Sequence, residues 1–142
     1  MPRFVLLYHD CPSNYERASH WDFMLESGDV LRTWALERLP HDWQAAFTRT
    51  SAVHPNCPSL AEENTVAAMQ LGDHRCDYLE LEGPLSGDRG TVIRVAAGTY
   101  RSEHEAPGDW RVVLTSEVLA ARVQFTRSEA NDGHWTVLST KY

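Results

Sequence analysis

Lysine is almost absent from this chain. Lys141 is the only one among 142 residues, so the remaining twelve of its thirteen basic residues are arginine. Against twenty Asp plus Glu they leave a net charge of −7. This balance argues against a protein that coats nucleic acid through a broad basic surface. An enzyme that grips one strand end with a few local arginines is still permitted, because the planar guanidinium fork suits phosphate. A GC-rich genome would leave the same arginine bias. Cysteine is also scarce: Cys11, Cys57 and Cys76 are odd in number and form no CxxC, which argues for free thiols in a reducing compartment. No apolar run approaches the roughly 20 residues of a membrane span. The opening MPRFVLLYHD is too short in its apolar part, and too quickly polar, for a secretion signal; it reads as a first strand of a cytoplasmic protein with no membrane partner.

Helical periodicity is thin as well. Asp42 is placed to cap a short helix with Trp43, Ala46 and Phe47 at i, i+3 and i+4. Ser59 with Glu62 fits a capping box, but Thr65 to Leu71 reads equally well as strand. Period-two alternation is abundant instead. Ser19 to Leu25 alternates clearly, Phe4 to His9 is a short apolar run consistent with a strand, and Val30 to Leu36, Thr91 to Val95, Gly98 to Arg101, Trp110 to Leu114 and His134 to Ser139 read as further strands. Turn residues separate them, as in Ser27-Gly28-Asp29, and Ser51 to Ser59 reads as an exposed loop. The expectation is a mainly β chain: one domain over residues 1–142, a β-barrel of about eight strands with one or two short helices.

Within this pattern, SHWDFMLES sends His20, Asp22 and Met24 to one strand face. If the first two strands lie side by side, His9 at the end of the first approaches His20 and Asp22 near the start of the second. Two imidazoles and a carboxylate form a mixed N/O set suited to Mn²⁺, Fe²⁺ or Zn²⁺. A bare HxD on a strand is also common as a simple hydrogen-bonded pair. In GDHRCDYLELEG, residues 72–83, His74 and Tyr78 are spaced to bracket a phosphate, with Arg75 or Arg89 as charge partners. The plainer alternative makes Tyr78 a half-buried strand residue and Arg75 a solvated charge. A structural zinc site from His54, Cys57, His74 and Cys76 is a further alternative.

Several segments, in order along nearly the whole chain, are similar to one family. FVLLYHD…SHWDFMLESGDVLRTWAL resembles the opening of the 3′-phosphoesterase domain of bacterial DNA ligase D, with its histidine, its HYDFRLE and its SWAVPKGP. DHRCDYLELEG resembles that family's DHPxxYxxFEG, and GTVIRVAAGTY its GTVIVWDxGTW. WRVVLTSEVLAARVQFTR and HWTVLSTK fit its closing segment. The resemblance implies a compact β-barrel and a manganese-dependent enzyme that removes a terminal ribonucleoside and then the 3′-phosphate from DNA or RNA ends. It implies His9, His20 and Asp22 as metal ligands and His74 and Tyr78 as the catalytic contacts to the scissile phosphate. Arg38 stands where the family often has a lysine, and Arg38, Arg75 and Arg89 are the candidate phosphate-binding arginines.

Three departures stand out. The HYDFRLE arginine is Met24 here, and a thioether donates no hydrogen bond to phosphate. The basic residue expected about eight positions before His74 is Val66. Ten residues separate His9 from His20, several more than is usual. The expectation is therefore a retained metal site with a weakened phosphate grip, which Met24→Arg would repair. Two other functions fit the same pattern: a catalytically weakened module that holds a metal or a nucleic-acid end for a ligase or polymerase, and a phosphoesterase for a small phosphate ester.

Overall fold

Alternating apolar residues bury one side of each strand, and in this chain the result is a sheet that returns to its own first strand. The computed structural model describes residues 1–142 as β1 (Arg3–Asp10), β2 (His20–Ser27), β3 (Val30–Leu36), α1 (Gln44–Val53), β4 (Thr65–Arg75), β5 (Gly83–Pro84), β6 (Thr91–Ala106), β7 (Asp109–Thr115), β8 (Ala121–Arg127) and β9 (His134–Thr140). The hydrogen-bonded order is β1-β2-β3-β4-β9-β8-β7-β6, every pair antiparallel, and β6 pairs again with β1. Eight strands thus form a ring, with the two-residue β5 added outside on β6. The mainly β barrel read from the sequence is the fold observed.

Several boundaries differ from the sequence reading, each for a local reason. Thr91–Val95 and Gly98–Arg101 are parts of the single sixteen-residue strand β6. Leu6 pairs with Ala96 while Leu7 pairs with Arg94, so Val95 is an extra, bulged residue. Both Val95 and Ala96 are buried in the main core there, and the bend lets one strand serve β1 with its first half and β7 with its second. The stretch after Ser59 is not helical; β4 begins at Thr65. Helix α1 forms, but Asp42 does not cap it. Trp43 precedes the helix without a side-chain cap, and the Asp42 backbone N–H donates to Asn64 Oδ1 at 2.8 Å. Ala121–Arg127, which no alternation singled out, is the strand β8.

The barrel interior is aromatic. Phe125 stacks on Phe23 with centroids 5.6 Å apart, lies 4.5 Å from Trp34 and 5.6 Å from Trp110. Helix α1 lies against this core through Ala46 and Thr50. Trp21 Nε1 donates to Thr50 Oγ1 at 3.0 Å and Trp43 Nε1 to Ser139 Oγ at 2.7 Å, so the indoles satisfy their N–H groups while burying their rings. A second, smaller core lies on the outer face. Val5, Leu7, Met24, Leu31, Leu79 and Val92 are buried together, with Cys76, Tyr78, Leu81 and Leu85 packed over them. Residues 76–85 therefore cover the outside of β1–β3, which is why Phe4 to Tyr8 is buried without interruption rather than in alternation. No helix is long and apolar enough to cross a membrane.

Candidate metal and phosphate site

Antiparallel pairing of β1 with β2 puts His9 directly opposite His20 and Leu7 opposite Asp22. His9, His20 and Asp22 thus meet on the outer face of the barrel, at the end of β1 and the start of β2. All three are buried, at 6%, 3% and 5% exposure. Each imidazole is fixed by a backbone carbonyl. His20 Nδ1–H donates to the Ala18 carbonyl at 2.8 Å, and His9 Nε2–H donates to the Arg89 carbonyl at 2.6 Å. Donation from one ring nitrogen leaves a lone pair on the other. Those free nitrogens face the carboxylate: His20 Nε2 lies 3.0 Å from Asp22 Oδ1, and His9 Nδ1 lies 3.8 Å from Asp22 Oδ2.

This arrangement fits a divalent cation. His20 Nε2 and Asp22 Oδ1 are buried and have no hydrogen-bond partner despite their proximity, and a buried polar atom without a partner is costly. Two imidazoles with second nitrogens anchored on carbonyls, plus one carboxylate, form the donor set and outer support that metal sites use. In the metal-free protein, burial opposes charging of His20. The adjacent Asp22 carboxylate and the Ala18 carbonyl outweigh it, so its pKa lies above the ordinary histidine value.

Cys11 adds sulfur to the neighbourhood, since its Sγ and one nitrogen of each of His9 and His20 lie within 4.8 Å of one another. On His20, however, the thiol lies 4.0 Å from Nδ1, the nitrogen already committed to Ala18. Burial, with Asp22 and Asp10 beside it, pushes the thiol pKa up to about 11.

A close backbone approach secures the His9 anchor. Gly90, next to Arg89, has φ +91°, and a Cβ there would lie 2.0 Å from the Asp10 carbonyl oxygen. Only glycine allows this crossing, and with it the delivery of the Arg89 carbonyl to His9.

His74 and Tyr78 form a separate pair, their rings perpendicular with centroids 5.1 Å apart. His74 Nδ1–H donates to the Gly72 carbonyl at 2.9 Å, leaving Nε2 free. Neither residue hydrogen-bonds with the His9–His20–Asp22 cluster. His74 pairs with Leu31 on β3, whereas Asp22 pairs with Ala35, four residues away and roughly 13 Å along the strand. A single extra residue in β4 between Leu71 and His74 turns His74 to the outer face.

The three arginines selected from the sequence separate. Arg38 lines a cavity shared with His20. Arg75 is exposed beside His74. The Arg89 guanidinium bonds to Ser86, and only its carbonyl reaches the cluster. His54, Cys57, His74 and Cys76 do not assemble: His54 stacks near Tyr8, and the one close group of potential ligands that includes cysteine is His9, Cys11 and His20. The three cysteines are free thiols.

Two readings of the departures from the family pattern are corrected by burial. Met24 is fully buried in the outer core beneath Leu79 and Tyr78. It does not look onto a phosphate, and an arginine there would lack water and partner alike. Val66 faces the barrel interior, so a basic side chain at that position would enter the core. The sequence also missed Arg17, which lines the same cavity as His20 and Arg38; its place three residues before His20 was the available signal.

A family model described as the DNA ligase D 3′-phosphoesterase domain matches residues 12–137, nearly the whole chain. The matched span includes His20, Asp22, His74 and Tyr78 and begins just after His9. No curated protein matches the chain.

Proposed function

The chain belongs to the DNA ligase D 3′-phosphoesterase domain family, and from this membership we propose that it is a metal-dependent phosphoesterase that heals the 3′ ends of DNA or RNA strands. The observation that carries the reading is the pair of free nitrogens, His9 Nδ1 and His20 Nε2, turned onto a buried Asp22 carboxylate that has no other cation. Manganese is the proposed ion, with zinc or iron as competitors for the same donors. A cation bound there supplies Lewis-acid polarisation of a phosphoryl oxygen and acidifies a water.

The residues of the chain do the rest. The Ala18 and Arg89 carbonyls hold both rings in the tautomers that present lone pairs. Tyr15 stacks edge-on against His9, with centroids 5.7 Å apart, and shields it from the loop side. His74, with Nε2 free, and Tyr78 are proposed to contact phosphate of the same strand and to move or share a proton there. A ligase or polymerase acting on the healed end is the proposed partner. The free thiols support a reducing, cytoplasmic setting.

The test is manganese-dependent phosphate release from a 3′-phosphorylated duplex end, with wild type compared with His20→Ala and with chelator-treated protein. Release by wild type and loss in both comparisons is expected, together with loss of bound metal from His20→Ala. Equal metal content in the two proteins would sink the metal assignment. The burial of Met24 and the distance of His74 from the cluster favour one second reading, a weakened module that holds a metal or a strand end. Intact metal binding without phosphate release would select it.

A further inference from the structure

A groove of about 720 Å³ opens on the outer face beside the metal cluster, with His20 in its wall. This is the size of a small-ligand site. Its floor follows from register. Asp22 pairs with Ala35, Ala35 with Met69 and Met69 with His134, so one row of outward residues runs from the cluster across β3 and β4 to β9. Ala67 and Leu71 extend the floor along β4 on either side of Met69. The small alanines keep the floor low, and the row is apolar until it reaches His134.

The rim of this floor carries unpaired positive charge. Six of the twelve arginines are ion-paired, namely Arg3, Arg32, Arg94, Arg101, Arg111 and Arg122, and Arg89 is tied to Ser86. Arg17 and Arg38 have neither ion pair nor hydrogen bond, and both are exposed in the groove wall with His20. Glu16 and Glu37 share the rim but do not pair with them. Arg17 comes from the long connection between His9 and His20 and lines the groove beside His20. Two free guanidinium forks beside a dication site, above a flat apolar floor, suit a phosphate followed by a nucleobase.

We propose that Arg17 and Arg38 hold the terminal phosphate of a nucleic-acid 3′ end against the His9–His20–Asp22 cluster, while the nucleoside on its 5′ side lies over Ala35, Ala67 and Met69. The proposal rests on the 3′-end reading above and supplies the phosphate grip that Met24 cannot provide. It also orients the strand: from the cluster, along the β4 floor past Leu71, towards His74.

The test is fluorescence anisotropy with a single-stranded oligodeoxynucleotide ending in a 3′-phosphate and its 3′-hydroxyl counterpart, without added metal so that the probe stays intact. Arg17→Ala and Arg38→Ala should each weaken binding of the phosphorylated probe by roughly tenfold. Each should lower the slope of log affinity against log salt by about 0.7, and the double variant should no longer distinguish the two probes. Ala67→Glu, at an exposed floor position, should weaken both probes. Arg49→Ala, an exposed arginine on α1 outside the groove, should change nothing. Rescue of affinity by Arg17→Lys would support a charge contact rather than a structural one. If wild type binds and releases phosphate while the Arg17 and Arg38 variants keep its affinity and salt slope, the clamp is wrong and the 3′-end reading stands. If wild type neither binds the probe nor releases phosphate, both fall together.

Discussion

At the scale of single residues, one outward strand face buries two kinds of side chain, and each is informative. His20 and Asp22 are polar and buried, as an ion site requires. Met24, two residues further along the same face, is apolar and buried, as the outer core requires. Met24→Arg would therefore not repair a phosphate grip. It would force a guanidinium under Leu79 and Tyr78, and a buried unpaired charge costs several kcal/mol. We expect a loss of at least about 3 kcal/mol in denaturant-unfolding stability and no gain in phosphate release. A stable variant with raised activity would show that residues 76–85 open away from β2. The clustering of His20 and Asp22 was legible in the sequence because period-two spacing and a motif coincide there. The solvent access of Met24 was not, because what covers it comes from a segment more than fifty residues later.

At the scale of elements, the barrel strands were legible wherever one face was buried and the other wet. The reading failed where both faces are covered or where a bulge shifts the period. Phe4 to His9 alternates poorly because the outer core buries its second face. The bulge at Val95 places two consecutive residues inward and splits β6 into two apparent strands. The extra residue between Leu71 and His74 likewise reverses the face on which His74 appears. The connection from β5 to β6 has the tightest tolerance, because Gly90 crosses the end of β1. Gly90→Ala must move either Asp10 or Arg89, since the clash is with backbone and no side chain can yield. We expect it to release the Arg89 carbonyl from His9 and weaken metal affinity by about 10- to 100-fold, the range for loss of an outer-shell partner. Metal titration of the folded variant is the measurement. Unchanged affinity would show that His9 keeps its orientation without that carbonyl.

At the scale of the whole molecule, ring closure concentrates stability in one place. Phe125 touches Phe23, Trp34 and Trp110, which belong to strands on different sides of the ring. Phe125→Ala should cost about 3–5 kcal/mol. The loss should appear as a single cooperative shift in thermal or chemical denaturation, since no wall of the barrel stands apart from that ring. Biphasic unfolding would show that the sheet divides into separately stable parts. Closure has a different consequence for the pairing of His9 with His20. The two histidines are placed by the ladder between β1 and β2, and the connection between them departs from one and returns to the other. Apart from the Ala18 carbonyl that orients His20 and the Tyr15 ring beside His9, its length and sequence are thus free to change while the strand positions of both histidines stay where they are. In evolutionary and engineering terms the hairpin is an exchangeable cassette: the proposed ion ligands are encoded in the strands, the proposed phosphate contact Arg17 in the loop, and residues 12–17 are where this scaffold would accept a transplant.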